Sequence, residues 1–258
     1  MNKFSIIVAV YNAETFIERF MESLKNISYQ NYEIIIIDGG SSDNTLKLLQ
    51  RYDSIIDYKI SEKDNGIYDA WNKGILKATG DWILFIGSDD ILLPDALTKY
   101  DSFISKLENR DTIQYISSKN KMIDIEGKTV RTKGWAWEWP FFLKEMTVAH
   151  PGSIHSKRLF ALYGLFDTTY RSSGDYEFLL RPKDKLEYAF MNEITVDMRE
   201  GGISDGWIGI KEHCRAATTT GGYNRILACK NAAWVLLKHK LKKVLRFLGV
   251  NAYLKKTV

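Results

Sequence analysis

Residues 32–45 read YEIIIIDGGSSDNT, and residues 5–15 read SIIVAVYNAET. Each is a short run rich in β-branched residues that stops on polar ones: Tyr11 and Asn12 in one, Asp38, Gly39 and Gly40 in the other. A run that is apolar at every position suits a strand buried on both faces, the mark of a parallel sheet covered by helices. In such sheets ligands sit beyond the carboxyl ends of the strands. The two polar ends therefore point to the edge where a ligand belongs.

Strand and helix signals alternate outward from these runs. After FSIIVAV, Phe16, Ile17, Phe20, Met21 and Leu24 recur at helical spacing. YEIIIID is followed by SSDNTLKLLQRY, a helix whose start carries Ser and Asp caps. IDYKIS is a third strand and GIYDAWNKGILKAT a helix. DWILFIG is a fourth strand ending in SDD, and PDALTKYDSFISKLEN a helix opened by Pro94. This order predicts an α/β fold: one doubly wound, mostly parallel sheet flanked by helices. The rhythm then changes. TIQYISS and KMIDIEGKTVRTKG read as strands around a Glu126-Gly127 turn, SKRLFALYG and DYEFLLR as short helices, and EYAFMNEITVDMRE as a strand. A helix is expected from about Tyr223 to Leu248. The organisation expected is one domain over residues 1–205 and a basic helical extension over 206–258.

Carboxylates recur at the predicted strand ends: Asp38 after the second, Asp64 after the third, Asp89 and Asp90 after the fourth. Asp175 stands at a helix start. A ligand at an edge of converging negative charge is a divalent cation bound to phosphate, or a neutral sugar or nucleoside that donates hydrogen bonds. A bare anion does not fit.

These stretches, with LYGLFDTTYRSSGDYEFLLR and GGISDG, resemble the family 2 glycosyltransferases of GT-A fold, over most of residues 4–205. The SEKDNGIYDAWNKGI form is similar to a branch common in bacterial surface-polysaccharide synthesis, where capsule, O-antigen and lipopolysaccharide are made. The resemblance implies an inverting transferase that uses a nucleotide-sugar, with UDP as the expected nucleotide. It places the nucleotide against Val10, Tyr11, Asn12 and Glu14, with Asp38 reaching the base and Asp64 and Asn72 lining the same pocket. GSDD matches the metal-binding motif, with Gly87 where a first Asp often stands. Asp90 is then the preferred ligand of Mn²⁺ or Mg²⁺, Asp89 the ribose or metal partner, and Ser88 a neighbour of the nucleotide. Gly39 likewise stands where an Asp is frequent. Asp175 matches the catalytic base, GGISDG a closing loop, and His150 a histidine near the acceptor.

The chain has 258 residues, 45% hydrophobic and 26% charged, ordinary values for a folded domain. Cys214 and Cys229 form no metal spacing or disulfide framework, so a reducing cytoplasm is expected. The opening MNKFSIIVAV has a short apolar run without a small-residue cleavage site, and reads as a strand rather than a leader.

Charge is uneven. Ten of the 36 basic residues follow Glu212, where no acidic residue stands, leaving 26 basic against 32 acidic before it. In the final helix Trp234, Leu237, Leu241, Val244, Leu245 and Leu248 form a stripe, with Lys238, Lys240, Lys242, Lys243 and Arg246 around it. That pattern suits an interfacial helix on the inner face of the cytoplasmic membrane, which would bring a lipid-linked saccharide acceptor within reach; docking on its own domain or on a second copy is the alternative. The acidic body argues against nucleic acid. GWAWEWP puts Trp135, Trp137 and Trp139 at alternate positions, as on a half-buried strand or a sugar-stacking face.

Two other readings share this composition. A sugar nucleotidyltransferase needs a glycine-rich phosphate loop with basic residues, and VYNAET offers none. A non-catalytic nucleotide-sugar sensor or scaffold would keep the pocket without turnover.

Overall fold

The computed structural model describes residues 1–124, 126–199 and 206–247, with side chains described through residue 236. Nine strands form one sheet in the order β3-β2-β1-β4-β8-β6-β9-β5, with β7 paired to β6. The strands are β1 (Phe4–Val10), β2 (Tyr32–Asp38), β3 (Tyr58–Ser61), β4 (Trp82–Gly87), β5 (Ile91–Leu92), β6 (Tyr115–Ile123), β7 (Thr129–Lys133), β8 (Ala149–Ser156) and β9 (Tyr188–Arg199). The helices are α1 (Ile17–Lys25), α2 (Thr45–Leu49), α3 (Ile67–Lys77), α4 (Ala96–Ser105), α5 (Trp139–Phe142), α6 (Lys157–Tyr163), α7 (Gly174–Leu180), α8 (Trp207–Thr219) and α9 (Arg225–Phe247).

The apolar runs are buried on both faces, as their sequence requires. Ile6, Val8, Ile34, Ile36, Leu84 and Ile86 face one core with Ile17, Phe20 and Met21 of α1 and Leu97 and Tyr100 of α4. Their neighbours Ile7, Ile35, Ile37, Ile83 and Phe85 face the other, with Tyr68, Trp71 and Ile75 of α3 and Phe178 of α7. Because side chains alternate across a strand, one run supplies both cores.

The expected parallel arrangement holds across β3, β2, β1 and β4. Beyond β4 the sheet is mixed: β8 is antiparallel to β4 and to β6, whereas β9 is parallel to β6. The hairpin at Glu126-Gly127 is present, but the two segments expected before its turn are one strand, β6. Strand β8, AHPGSIHS, was not legible as a strand, because Pro151, Gly152 and two histidines dilute its apolar signal. Its pairing with β6 shifts register between Ile116 and Ser118, and the irregularity accommodates the proline.

The tryptophan stretch is not a strand. Gly134, at φ +113, turns the chain, and Trp139 opens α5. Trp135 is exposed, while Trp137 is buried against Phe142 and Tyr188. The period of two there comes from an extended loop with one anchoring indole.

Within the helical extension expected over 206–258, helix α8 precedes the one expected from about Tyr223. It packs on α7 with Ala216 and Ala217 buried, so the chain after residue 205 returns to the body of the fold before α9 begins. Most of the GGISDG stretch (201–205), and every side chain of the terminal stripe beyond Trp234, lie outside the described residues. Among the described residues no helix is long and apolar enough to cross a membrane.

Candidate active site

Strands β1 and β2 pair in register, with Val10 opposite Asp38, so their loops leave the sheet side by side. The loops clasp each other. Asn12 sits in the left-handed region at φ +45, which asparagine tolerates better than most residues. Its N–H donates to Ser41 Oγ at 2.8 Å, and its side-chain oxygen accepts from the Ser42 N–H at 2.9 Å. Glu14 Oε2 accepts from the Asn44 N–H at 2.9 Å, and Asp43 Oδ2 accepts from the Glu14 N–H at 3.1 Å. The Gly39 N–H donates to the Val10 carbonyl at 2.9 Å. The two polar strand ends thus build one rigid rim. On it Val10 is buried and Tyr11 stands 65% exposed.

Asp38 is the last residue of β2. It is fully buried. Its Oδ2 accepts from the N–H groups of Gly40 (3.1 Å) and Ser41 (3.0 Å) and from Ser61 Oγ (2.6 Å), and Oδ1 accepts from Ser41 Oγ. These bonds make Asp38 the acceptor that shapes the turn after β2. The carboxylate that faces the rim is Asp64, half-buried, whose Oδ1 accepts from the Gly66 N–H at 2.9 Å. A Cβ on Gly39 would lie 2.5 Å from Asp64 Oδ2. The glycine where an acid is frequent therefore leaves the room that Asp64 occupies.

Asn72 of α3 is half-buried and pairs with the backbone of Phe166. Its Nδ2 donates to the Phe166 carbonyl and its Oδ1 accepts from the Phe166 N–H, both at 2.9 Å. The two bonds tie α3 to a segment far along the chain.

The turn between β4 and β5 carries Ser88, Asp89 and Asp90. A Cβ on Gly87 would lie 2.8 Å from Asp89 Oδ1 and 3.4 Å from Asp90 Oδ2, so both carboxylates converge over this glycine. Asp90 is buried, and its Oδ1 accepts from the Arg199 N–H at 3.0 Å. Burial, with the charge of Asp89 behind it, pushes the Asp90 carboxyl up to about 7. A cation between the two oxygens would offset both causes. Two hard carboxylate donors suit Mg²⁺ or Mn²⁺, which take one or two carboxylates and complete their shell with phosphate oxygens and water. No group of three or more His, Cys, Asp or Glu side chains stands ready for a metal among the described residues.

Asp175 opens α7 with its side chain 21% exposed. Tyr68 of α3 donates its hydroxyl to Asp175 Oδ1 at 3.0 Å. On the other side His150 Nδ1 lies 3.9 Å from Asp175 Oδ2. Burial pushes the His150 imidazole down, keeping it neutral, and the ring stacks on Trp71 at 5.3 Å. The loop before Asp175 is anchored by Glu212 of α8, whose carboxylate accepts from the N–H groups of Arg171 (2.9 Å), Ser172 (2.8 Å) and Ser173 (3.1 Å). Sequence reasoning missed Tyr68 and Glu212. Tyr68 sits on the apolar side of an amphipathic helix and reads as core, and Glu212 is noticeable only as the last acid of the chain.

Residues 5–158 match the family model Glycosyl transferase family 2. The PGL/p-HBAD biosynthesis glycosyltransferase of Mycobacterium tuberculosis is 27% identical over 210 residues, covering 78% of this chain and 79% of that protein. Chondroitin synthase of Escherichia coli is 28% identical over 197 residues, but this chain spans only 28% of its length and the match covers 74% of this chain. Among solved structures, S. aureus TarS 1–349 in complex with UDP-GlcNAc superposes with TM-score 0.67 at 18% identity, over 92% of this chain and 72% of that one. Glucosyl-3-phosphoglycerate synthase from Mycobacterium tuberculosis, in complex with Mn²⁺, UDP and glucosyl-3-phosphoglycerate, gives TM-score 0.58 at 16% identity, over 86% and 81% of the two chains. With a family match across more than half its length and a sheet of this architecture, the chain belongs to glycosyl transferase family 2 and has the GT-A fold.

Proposed function

We propose that the protein is an inverting, metal-dependent hexosyl- or N-acetylhexosaminyltransferase that moves one sugar from a UDP-sugar to a hydroxyl of a lipid-linked saccharide. The observation that carries this reading is the separation of two carboxylate functions. Asp89 and Asp90 converge at the end of β4, while Asp175, on a different element, is held by Tyr68 and remains partly open. Inversion needs a carboxylate that takes the proton of the attacking hydroxyl on the face opposite the leaving diphosphate. It needs no second carboxylate as nucleophile.

In this reading the rim of Val10, Tyr11, Asn12 and Glu14, with Asp64 beside it, receives the nucleotide. Tyr11 offers an exposed ring to the base. Ser88, Asp89 and Asp90 face the ribose and diphosphate, and Asp89 and Asp90 would hold Mn²⁺ or Mg²⁺, which supplies neutralisation of the charge that builds on the departing diphosphate. Asp175 accepts the proton of the acceptor hydroxyl as oxygen attacks the anomeric carbon. UDP is favoured because neighbours of the same fold were solved with UDP-GlcNAc and with UDP. Relatives named for PGL/p-HBAD biosynthesis and chondroitin synthesis favour a saccharide acceptor.

A thermal-shift panel of UDP- and GDP-sugars with Mn²⁺ tests the donor, since binding to the native state raises the melting temperature by mass action. At a hundredfold excess over Kd a ligand adds about 2.7 kcal/mol. A shift with UDP-sugars that needs Mn²⁺ is expected. No shift with any nucleotide-sugar would sink the reading, and binding without sugar release to any acceptor would make the protein a sensor.

The catalytic domain proposed is residues 1–205, with 206–258 an extension that buttresses it through α8 and reaches the inner face of the cytoplasmic membrane through α9. Trp207, Ile208, Ile226, Leu227 and Trp234 leave large apolar surface exposed on these two helices, and the basic residues after Glu212 complement anionic headgroups. Each cation near such a surface contributes about 1 kcal/mol. Changing Lys238, Lys240, Lys242, Lys243 and Arg246 to Gln in the full-length protein should release it from anionic vesicles at lower salt than the parent. Co-sedimentation across a salt series measures this. Equal pelleting at every salt concentration would leave packing on the protein itself as the role of the tail.

A further inference from the structure

The pairing of Tyr68 with Asp175 has a chemical consequence for the reaction proposed above, and it rests on that reading of Asp175. Tyr68 is 3% exposed and locked in place. Its ring meets Trp71 edge-on, with centroids 5.4 Å apart, and packs beside Phe166 at 5.6 Å. It also covers the backbone of Gly174, where an added Cβ would lie 2.8 Å from the ring. The residue before Asp175 is therefore a glycine because the tyrosine ring occupies the place of its side chain. Tyr68 thus joins helix α3 to the start of α7, far apart in sequence. The result is a hydroxyl aimed at a single carboxylate oxygen.

We propose that Tyr68 is the positioning residue of the base: its hydroxyl holds Asp175 Oδ1, fixing the carboxylate rotamer and leaving Oδ2 to accept the proton of the sugar hydroxyl. Burial first, and then the charge of Asp175, push the Tyr68 phenol well above its usual range, so it stays a donor at every working pH. A donor fixed on Oδ1 occupies one oxygen of the carboxylate. It also restricts the side chain to the geometry from which proton transfer over a hydrogen-bond distance is possible. His150 closes the other flank without competing. Its buried imidazole is neutral, and at 3.9 Å from Oδ2 it lies outside hydrogen-bond range.

Tyr68→Phe removes the hydroxyl and keeps the ring that packs on Gly174. The probes are UDP-glucose, UDP-galactose and their N-acetylamino counterparts with Mn²⁺, read as UDP released with enzyme in excess, so that slow variants still register. The Phe variant should lose about ten- to a hundredfold in rate, the scale of one hydrogen bond to a charged group. Its KM for donor and its melting temperature should stay close to the parent values. The double variant with Asp175→Asn should be no slower than Asp175→Asn alone, because a hydroxyl that acts through the carboxylate has nothing to position once the base is gone. Parent-like rate in Tyr68→Phe beside a slow Asp175→Asn would overturn the positioning role alone. A further loss in the double variant would show that Tyr68 acts independently of Asp175 and would overturn it too. Near-normal rate in Asp175→Asn would remove the base itself, and this proposal with it.

Discussion

Asp175→Asn is expected to lower turnover a hundredfold or more while leaving donor binding intact. Asn keeps the shape of the side chain, and its carbonyl still accepts the Tyr68 hydroxyl that Asp175 accepts at 3.0 Å. What it loses is the ability to take a proton. General-base catalysis by a positioned side chain contributes about 10²–10⁴ in rate, so the loss should fall within that span. It should appear in kcat rather than in the donor KM, because the proton moves only as the acceptor attacks. The carboxylate lies on α7, a different element from the Asp89–Asp90 turn, so nucleotide affinity in a titration with UDP should match the parent. Near-normal kcat would remove Asp175 from the chemistry. A parallel loss of UDP affinity would instead place it in the donor pocket.

Asp90→Ala should act on binding and turnover together. Asp90 Oδ2 and Asp89 Oδ1 converge over Gly87, and removing one of two hard donors leaves a cation with too few protein ligands to compete with its hydration shell. UDP titrated in Mn²⁺ should bind the variant at least tenfold more weakly than the parent, the scale of a lost interaction of roughly 1.4 kcal/mol. The difference between variant and parent should vanish in EDTA, where the parent also loses activity. Asp90 Oδ1 also accepts the Arg199 N–H at 3.0 Å, so Asp90→Asn, which keeps an acceptor there, separates folding from metal binding. If both variants bind UDP as the parent does in Mn²⁺, or the parent works fully in EDTA, the pair is not a metal site.

The proposed site lies at the carboxyl edge of β1, β2 and β4, where two requirements meet. The strands must be apolar throughout to be buried on both faces, so polar chemistry can begin only where they end. Their loops must also be rigid enough to present it, which the Asn12–Ser41–Ser42 and Glu14–Asp43–Asn44 hydrogen bonds provide. At the opposite edge a buried carboxylate serves structure instead. Glu33 accepts from Ser5 Oγ and from the Thr79 N–H and hydroxyl; burial alone would raise its carboxyl, but those bonds outweigh it and hold the group below the usual range.

By itself the sequence determined the parallel half of the sheet, its helices and the edge where the carboxylates collect. Those are consequences of local periodicity: a run of four isoleucines admits few environments, and strand ends follow from where the run stops. Only the tertiary structure decided how each carboxylate is held. Asp38 and Asp64 look alike in a motif, yet hydrogen bonds from Gly40, Ser41 and Ser61 consume the first, and Gly39 makes room for the second. Asn72 reads as a pocket residue, and its pairing with Phe166, 94 positions away, leaves no sign in the sequence. Strand β8 and helix α8 carry weak local signals because their burial comes from neighbours distant in sequence. The same holds for Tyr68 and Glu212, whose partners Asp175 and Arg171–Ser173 are brought to them only by the packing of α3 and α8 around α7. A hydrogen bond between residues so far apart leaves no period in the chain, so it becomes visible only once the helices are in contact.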